Sequence, residues 1–168
     1  MTDQTSEVTD GVSAGPDADE SQPSIFDQPE GTDWLLAWLL TYAENYGVEF
    51  QVTLHVRGLI ITGVLISGHA YLTEMAKQFR GLIHGDPPEG QLSIHALVAD
   101  SLDQYKSIYR DPASEGPFEL AQPGYMHLRR SRIIHDNGTM IPSGGALWRG
   151  KLSSVDGFTI GELSVSRS

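Results

Sequence analysis

The first regular pattern along the chain is the stretch "TDWLLAWLLTYAENYG", residues 32 to 47, whose apolar positions recur at helical spacing. Thr32 or Asp33 at its start and Gly47 at its end are residue types that cap helices. A second line, formed by Trp34, Trp38 and Tyr42, widens the apolar face. The pattern predicts a core helix packed on a sheet. It leaves open whether Trp34 and Trp38 contact a partner, because aromatic residues are enriched at interfaces.

Alternating polarity follows from residue 50 to residue 57, which is typical of a half-buried strand. Arg57 and Gly58 then predict a tight turn, and the next stretch, "LIITGVLIS", is apolar on both faces. Gly63 lies in the middle of that stretch and indicates strong bending, either in a small barrel or in a covered sheet. The sequence therefore predicts a β-hairpin here.

Two helical patterns come next, over residues 71 to 82 and 92 to 108, and Asp111-Pro112 stops the second. After a loop rich in proline and glycine, the chain returns to strand with "YMHLRRSRII" and turns through "HDNGTMIPSGG". Asp156 and Gly157, flanked by Val155 and Phe158, then predict a two-residue hairpin turn between the last two strands.

These elements predict an α+β fold made of an N-terminal helix and a bent five-stranded antiparallel sheet or small barrel. The two further helices are inserted between the second and third strands. This order of elements is similar to that of small Sm-like barrels. The analogy concerns the fold and implies nothing about RNA.

A string near the end, Gly145 to Lys151, reads Gly-x-x-x-x-Gly-Lys and so resembles a phosphate-binding loop. Such a loop needs its lysine to open a helix whose N-terminal amides face the phosphates. Here Lys151 falls in a predicted strand, and Leu152 stands where a serine or threonine would hold magnesium. The pattern therefore does not indicate a nucleotide site.

Charge divides the chain of 168 residues, whose formal net charge is −11, into two parts. Residues 1–33 contain nine of the 22 acidic residues and no lysine or arginine, so the other 13 acidic residues nearly balance all 11 basic ones. This composition predicts a disordered acidic tail over residues 1–31 and a single domain over residues 32–168. Within the tail, "PSIFDQP" (residues 23–29) is either a short docking element or an incidental apolar pair.

Candidate chemistry is sparse. The chain has no cysteine, which suits a reducing cytoplasm. No apolar run reaches the 20 or so residues of a membrane helix, and the N-terminus lacks the pattern of a secretion signal. The six histidines are scattered, and His127 and His135 lie about 26 Å apart on one predicted strand, too far apart to share a metal. With no nucleophile elbow or paired carboxylates either, we expect no enzyme, no cofactor and no metal site.

A basic cluster is the more informative feature. Five cations fall within residues 124–151 against one acidic residue: Arg129, Arg130, Arg132, Arg149 and Lys151. By strand alternation Arg130 and Arg132 share one side, as do Arg149 and Lys151. The cluster is either an exposed polar sheet face or a contact for an acidic partner, including the tail of this chain or of a neighbour. Nucleic acid is a weaker alternative, because the chain is acidic overall and shows no aromatic stacking motif.

Several segments, from "VTLHVRGLIITGVLISGHAYLTEMA" through "YMHLRRSRII" and "IPSGG" to "LWRGKLSSVDGFTIGELS", resemble the gas vesicle accessory protein U family over about residues 33–166. The resemblance implies a cytosolic accessory protein that binds gas vesicles and influences their clustering, with no catalytic residues to carry over. Its most specific positions are explained by turns and packing alone: Trp148, Arg149, Gly150, Asp156, Gly157 and Phe158.

From the resemblance we expect the partners to be the gas vesicle shell or other gas vesicle proteins, with the chain in the cytoplasm and not inserted in a membrane. The open edges of the predicted sheet favour a homo-oligomer, because self-pairing between subunits would satisfy them. A nucleic-acid-binding small barrel that uses the arginine strand is the alternative function.

Overall fold

The computed structural model describes residues 31–83, 93–117 and 123–163. The predicted acidic tail and its "PSIFDQP" element lie outside the described residues, apart from Gly31. In chain order the elements are α1 (Trp34–Tyr46), β1 (Phe50–Val56), β2 (Leu59–Ile66), α2 (Gly68–Gly81), α3 (Ile94–Tyr105), a 3₁₀ turn (Lys106–Ile108), β3 (Tyr125–Ile134), β4 (Met140–Lys151), a second 3₁₀ turn (Leu152–Ser154) and β5 (Gly157–Ile160).

The five strands form one antiparallel sheet in the order β4-β3-β2-β1-β5. The α+β class and the five-stranded antiparallel sheet are confirmed. The small barrel that the sequence left open is wrong, because β4 and β5 form the two edges and do not pair with each other in the described structure. Helices α2 and α3 lie between β2 and β3 in the chain, and the Sm-like order remains an analogy.

The predicted hairpin turn before the last strand is also wrong. Asp156-Gly157 does not form a hairpin turn between β4 and β5, because β5 pairs with β1 at the opposite edge of the sheet. After β4 the chain passes through the 3₁₀ turn, which buries Leu152, and then buries Val155 in the core. With Leu152 and Val155 buried, the chain crosses the end of the sheet to the opposite edge. Burial of these two side chains therefore outweighs the local preference for a hairpin turn at Asp156-Gly157.

Each face of the sheet is covered by different helices. On one face, Leu36, Leu40 and other residues of α1 pack on a core that includes Leu54, Leu65 and Leu128. On the other face, Val64 and Ile66 pack with Tyr71 of α2. Because β2 contributes to both layers, it is buried from Ile61 to its end, as its two-sided apolar pattern predicted.

The predicted local signals at α1 and at the first hairpin are confirmed. The Asp33 carboxylate accepts hydrogen bonds from the N–H groups of Leu35 and Leu36, and Gly47 ends the helix in the left-handed conformation at φ 64°. Arg57 and Gly58 form the turn between β1 and β2 with φ values of 49° and 83°. Two successive positive φ angles match the right-handed twist of the flanking strands.

Gly63 lies against a bulge in β3. A Cβ at this position would come within 3.0 Å of the Ser131 Cα atom, and Arg130 in the bulge has a φ of 51°. The bulge adds one residue to β3, so Arg129 and Arg132 pair with Val64 and Thr62 and lie on the same face although they are three residues apart. Simple alternation along the arginine strand therefore does not hold.

Candidate interaction surfaces

The basic cluster is partly neutralised by carboxylates. Arg129 forms ion pairs with Glu49 and with Glu74, the latter at 3.2 Å, and Arg132 lies 3.9 Å from Glu162. These partners could not be predicted from the sequence, because they come from three separate segments around the strand. The positive charge presented to a partner is smaller than the count of five cations predicted.

The remaining cations occupy different places. Arg130 lies exposed in the bulge, and Lys151 is exposed at the end of β4. The guanidinium of Arg149 stacks over the ring of Tyr125, with 3.7 Å between its Cζ atom and the ring centroid. Arg149 and Lys151 pair with His127 and Tyr125 and lie on the sheet face that carries α2.

Arg149 also contacts a buried polar cluster centred on His127. The imidazole is 0% exposed and lies between the rings of Tyr71 and Tyr109, with centroids 4.7 Å and 5.3 Å away. The Arg149 Nε–H donates to Nε2 of His127 at 3.3 Å, and the Tyr109 hydroxyl lies 3.4 Å from the same atom. Burial lowers the pKa of His127 to about 4, and the charge of Arg149 acts in the same direction.

Glu44, on α1, is the second buried member of this cluster. Its two carboxylate oxygens each lie 3.0 Å from the backbone N–H of Gly68, which donates to them at the start of α2. Burial raises the pKa of Glu44 to about 7, and the Gly68 hydrogen bond opposes that shift. Its Oε1 atom is 3.9 Å from Nδ1 of His127, which has no hydrogen-bond partner among the described residues.

The tautomer of His127 follows from these contacts. Since Nε2 accepts the Arg149 hydrogen bond, the neutral imidazole carries its proton on Nδ1, directed towards Glu44. Sequence reasoning treated His127 as a lone strand histidine and did not single out Glu44. One signal was available: Glu44 continues the apolar stripe of Leu36 and Leu40 at helical spacing, which places a carboxylate on the buried face.

An open groove of about 290 Å³ lies beside this cluster, and we call it the α2–α3 groove. It is lined by three tyrosines, four aliphatic side chains and one cation: Tyr71, Tyr105, Tyr109, Leu72, Met75, Leu102, Ile108 and Arg149. Tyr71 and Tyr109 also flank the buried imidazole, so one wall of the groove is backed by the polar cluster. An apolar cleft with a single fixed cation is a typical arrangement for binding a mixed apolar and anionic group.

The opposite layer presents aromatic side chains on the outside of α1, which we call the α1 aromatic stripe (Trp34, Trp38, Tyr42 and Tyr46). Trp34 is 47% exposed and Trp38 is 37% exposed. The rings of Trp38 and Tyr42 pack edge to face at 4.7 Å, and those of Tyr42 and Tyr46 lie 5.7 Å apart. The rings from Trp38 to Tyr46 are thus in contact in series on the outer side of α1, and none of the four residues belongs to the core cluster.

The residues singled out by the family resemblance near the end of the chain occupy structural positions. Trp148 and Phe158 pack against the α1 core. The Trp148 ring covers Gly150, where a Cβ would come within 2.2 Å of it. Gly157 begins β5, and the Asp156 carboxylate accepts a hydrogen bond from the turn between β1 and β2.

The described residues contain neither a candidate metal site nor a candidate membrane span. In residues 31–83, 93–117 and 123–163, no three or more histidine, aspartate or glutamate side chains are grouped so that they could hold a metal ion. Over the same ranges, no helix has the length and apolar character needed to cross a bilayer.

The fold and these surfaces define a small α+β domain with an open sheet and exposed apolar surfaces in both helical layers. The family model described as "Gas vesicle protein GvpU-like" matches residues 33–163. Because the match covers most of the chain, the protein belongs to the GvpU-like family and is related to gas vesicles. No curated protein and no solved structure matches it.

Proposed function

We propose that this chain is a non-catalytic accessory protein that binds gas vesicles in the cytoplasm and promotes their clustering through adhesion and self-association. Membership of the GvpU-like family supports the association with gas vesicles. The observation that carries the proposal further is the presence of two exposed apolar surfaces, the α1 aromatic stripe and the α2–α3 groove, on opposite sides of one sheet. A molecule with two such surfaces can bind a vesicle and a second protein together.

The α1 aromatic stripe is the proposed vesicle-binding surface. Tryptophan and tyrosine offer large, stiff contact areas that also tolerate water, so they often dominate binding energies. The stripe lies on the outer side of a helix whose other side is fixed in the core, with Leu36 and Leu40 fully buried. A rigid, exposed aromatic surface of this kind is suited to binding a gas vesicle shell protein or another vesicle protein.

Self-association is proposed to involve the sheet edges as well. Strand β5 pairs only with β1 in the described structure, so one side of its backbone faces outwards, and Ile160 on it is exposed. Strand β4 forms the other edge and pairs only with β3 in the described structure. Pro142 within β4 has no N–H to offer for pairing. Edge strands with unpaired N–H and C=O groups pair readily with other chains, which favours a homo-oligomer.

Co-flotation with purified gas vesicles tests the vesicle contact. We expect the wild-type chain to float with the vesicles and the double variant Trp34→Ala/Trp38→Ala to remain mostly in the subnatant. The matched control is Ile94→Ala/Leu97→Ala, which removes two exposed apolar side chains from α3. Equal flotation of both double variants would show that the stripe is not the vesicle contact, and absence of wild-type flotation would contradict the proposed function.

The nucleic-acid alternative gains no support. The sheet is open rather than a barrel, and Arg129 and Arg132 of the arginine strand face carboxylates. The alternative is therefore not proposed.

A further inference from the structure

The α2–α3 groove has a defined chemistry. Its walls are aromatic and aliphatic, and its cation, Arg149, is held in place by stacking on Tyr125 and by its hydrogen bond to His127. A guanidinium fixed by its neighbours loses little entropy when it pairs with a carboxylate. The groove therefore suits a ligand in which an apolar or aromatic side chain lies next to a carboxylate.

The chain itself contains such a segment outside the described residues. Within residues 1–31, Phe26 is the only aromatic residue, and Ile25-Phe26 is the only adjacent pair of large apolar side chains. Asp27 follows directly, and residues 1–33 contain no lysine or arginine. The segment thus combines an apolar anchor with negative charge, which complements the tyrosines and Arg149 of the groove.

We propose that the α2–α3 groove binds the Ile25-Phe26-Asp27 segment of a second copy of this chain. Phe26 enters between the tyrosines beside Ile108, and the Asp27 carboxylate pairs with Arg149. This inference rests on the proposed self-association and deepens it by naming one contact between copies.

The reach of the segment favours a second copy over the same molecule. Six residues lie between Phe26 and Asp33, and the seven steps from one to the other span at most about 25 Å when fully extended. Helix α1 comes near the cluster at Glu44, so Asp33, at the start of the helix, lies about 16 Å further along it. It also packs on the sheet face opposite the groove. A segment of the same molecule therefore has to run the length of α1 and around the sheet to reach the groove, which leaves its extended length of about 25 Å with little slack.

Such a contact joins two different surfaces, so each copy offers one groove and one segment. Contacts of this kind close when two copies exchange segments, and otherwise extend from copy to copy in a ring or a chain. Each one is small, but many act together when several copies sit on one vesicle. When the two copies are carried on neighbouring vesicles, the contact links those vesicles.

Binding of a labelled peptide of residues 20–31 tests the groove directly. The receptor is the full chain carrying Phe26→Ala, so that its own segment does not compete, and fluorescence anisotropy is the readout. We expect saturable binding that weakens by about tenfold when the peptide carries Phe26→Ala, since a buried phenylalanine contributes at least that factor. The peptide with Asp27→Asn should bind less tightly and with a weaker salt dependence.

Variants of the receptor locate the site. Ile108→Ser in the groove should weaken binding, whereas Ile94→Ser should leave it unchanged. Both side chains are apolar and exposed, at 70% and 64%, and Ile94 does not line the groove. Arg149→Gln should weaken binding more than Arg130→Gln, which removes the same charge from the bulge. Circular dichroism confirms that each variant is folded.

The outcomes separate this inference from the proposed function. No saturable binding, or equal effects of the Ile108 and Ile94 variants, overturns the inference. A wild-type chain that excludes the peptide equally at nanomolar and micromolar protein concentrations shows intramolecular binding and overturns the second-copy assignment. If the peptide fails to bind while wild-type protein still floats with and clusters vesicles, only the inference fails. If the peptide binds as described but the protein does not float, the proposed function fails instead.

Discussion

The Asp156 carboxylate accepts a hydrogen bond from the backbone N–H of Arg57, with 2.6 Å between Oδ2 and N. In return, the N–H of Asp156 donates to the carbonyl of His55 at 2.8 Å. The start of β5 is thereby attached to the turn between β1 and β2, almost 100 residues earlier in the chain. This attachment helps to fix the edge at which β5 joins the sheet.

Replacing Asp156 should therefore loosen β5. We expect Asp156→Ala to lower the free energy of unfolding by about 1 kcal/mol, because the Arg57 N–H loses its acceptor at an exposed site. Asp156→Asn keeps an oxygen acceptor and should recover most of that loss. Urea unfolding followed by tryptophan fluorescence measures both variants, and equal stability of the two would contradict the role of the acceptor.

A second prediction concerns the bulge opposite Gly63. Gly63→Ala should lower the free energy of unfolding by about 1–3 kcal/mol, because its Cβ would lie 3.0 Å from the Ser131 Cα atom and 3.1 Å from the Arg129 carbonyl oxygen. The matched control is Gly144→Ala in β4, where a Cβ meets nothing within 4 Å. Thermal unfolding of the two variants should differ clearly, and similar melting temperatures would show that β3 shifts without cost.

The raised pKa of Glu44 predicts a pH dependence of stability. The folded state holds the carboxyl proton up to about pH 7, whereas the unfolded chain releases it near pH 4.5, the ordinary pKa of a glutamate. The stabilising contribution is therefore fully present below about pH 4.5 and is lost as the pH rises through 7. Glu44→Gln keeps an acceptor for Gly68 without titrating, so the stability of the wild type relative to this variant should fall by on the order of 3 kcal/mol across that range.

His127 should act in the opposite direction over an overlapping range. Its pKa is lowered from 6.5 to about 4, so the folded state resists protonation and loses stability as the pH falls from 6.5 towards 4. Relative to His127→Gln, the wild type should therefore become less stable on acidification. Urea titrations between pH 4 and pH 8 of both single variants and the double variant reveal the two slopes, which partly cancel in the wild type.

If the curves of both single variants are parallel to that of the wild type at every pH, neither group contributes to the pH dependence. If only one single variant changes the slope, the proton is held at that residue alone rather than distributed between the Glu44 carboxylate and the His127 imidazole 3.9 Å apart.

The elements predicted most accurately are those whose signals are local. Asp33 and Gly47 mark the ends of α1 because a side-chain acceptor and a left-handed residue act within one helical turn. Arg57 and Gly58 mark the first hairpin because the turn geometry depends on those two residues alone. The family could also be predicted from sequence, since the GvpU-like model matches the same region as the quoted segments.

The candidate surfaces were only partly predictable. Trp34 and Trp38 could be named from their spacing, but their exposure depends on how α1 packs on the sheet. The α2–α3 groove was not predicted, because its walls come from two helices, a 3₁₀ turn and β4. The arginine strand was visible as a charge cluster, whereas the carboxylates that pair with it come from distant segments.

The sequence by itself determined the helices, the first hairpin and the charge division of the chain, because each depends on residues that are neighbours along the backbone. Only the tertiary structure decided the partner of β5, the bulge opposite Gly63 and the burial of Glu44 beside His127. In each of these cases the outcome depends on long-range burial. The 3₁₀ turn carries Leu152 and Val155 into the core and takes β5 past the hairpin that Asp156-Gly157 would otherwise form, because burying two apolar side chains outweighs a local turn preference.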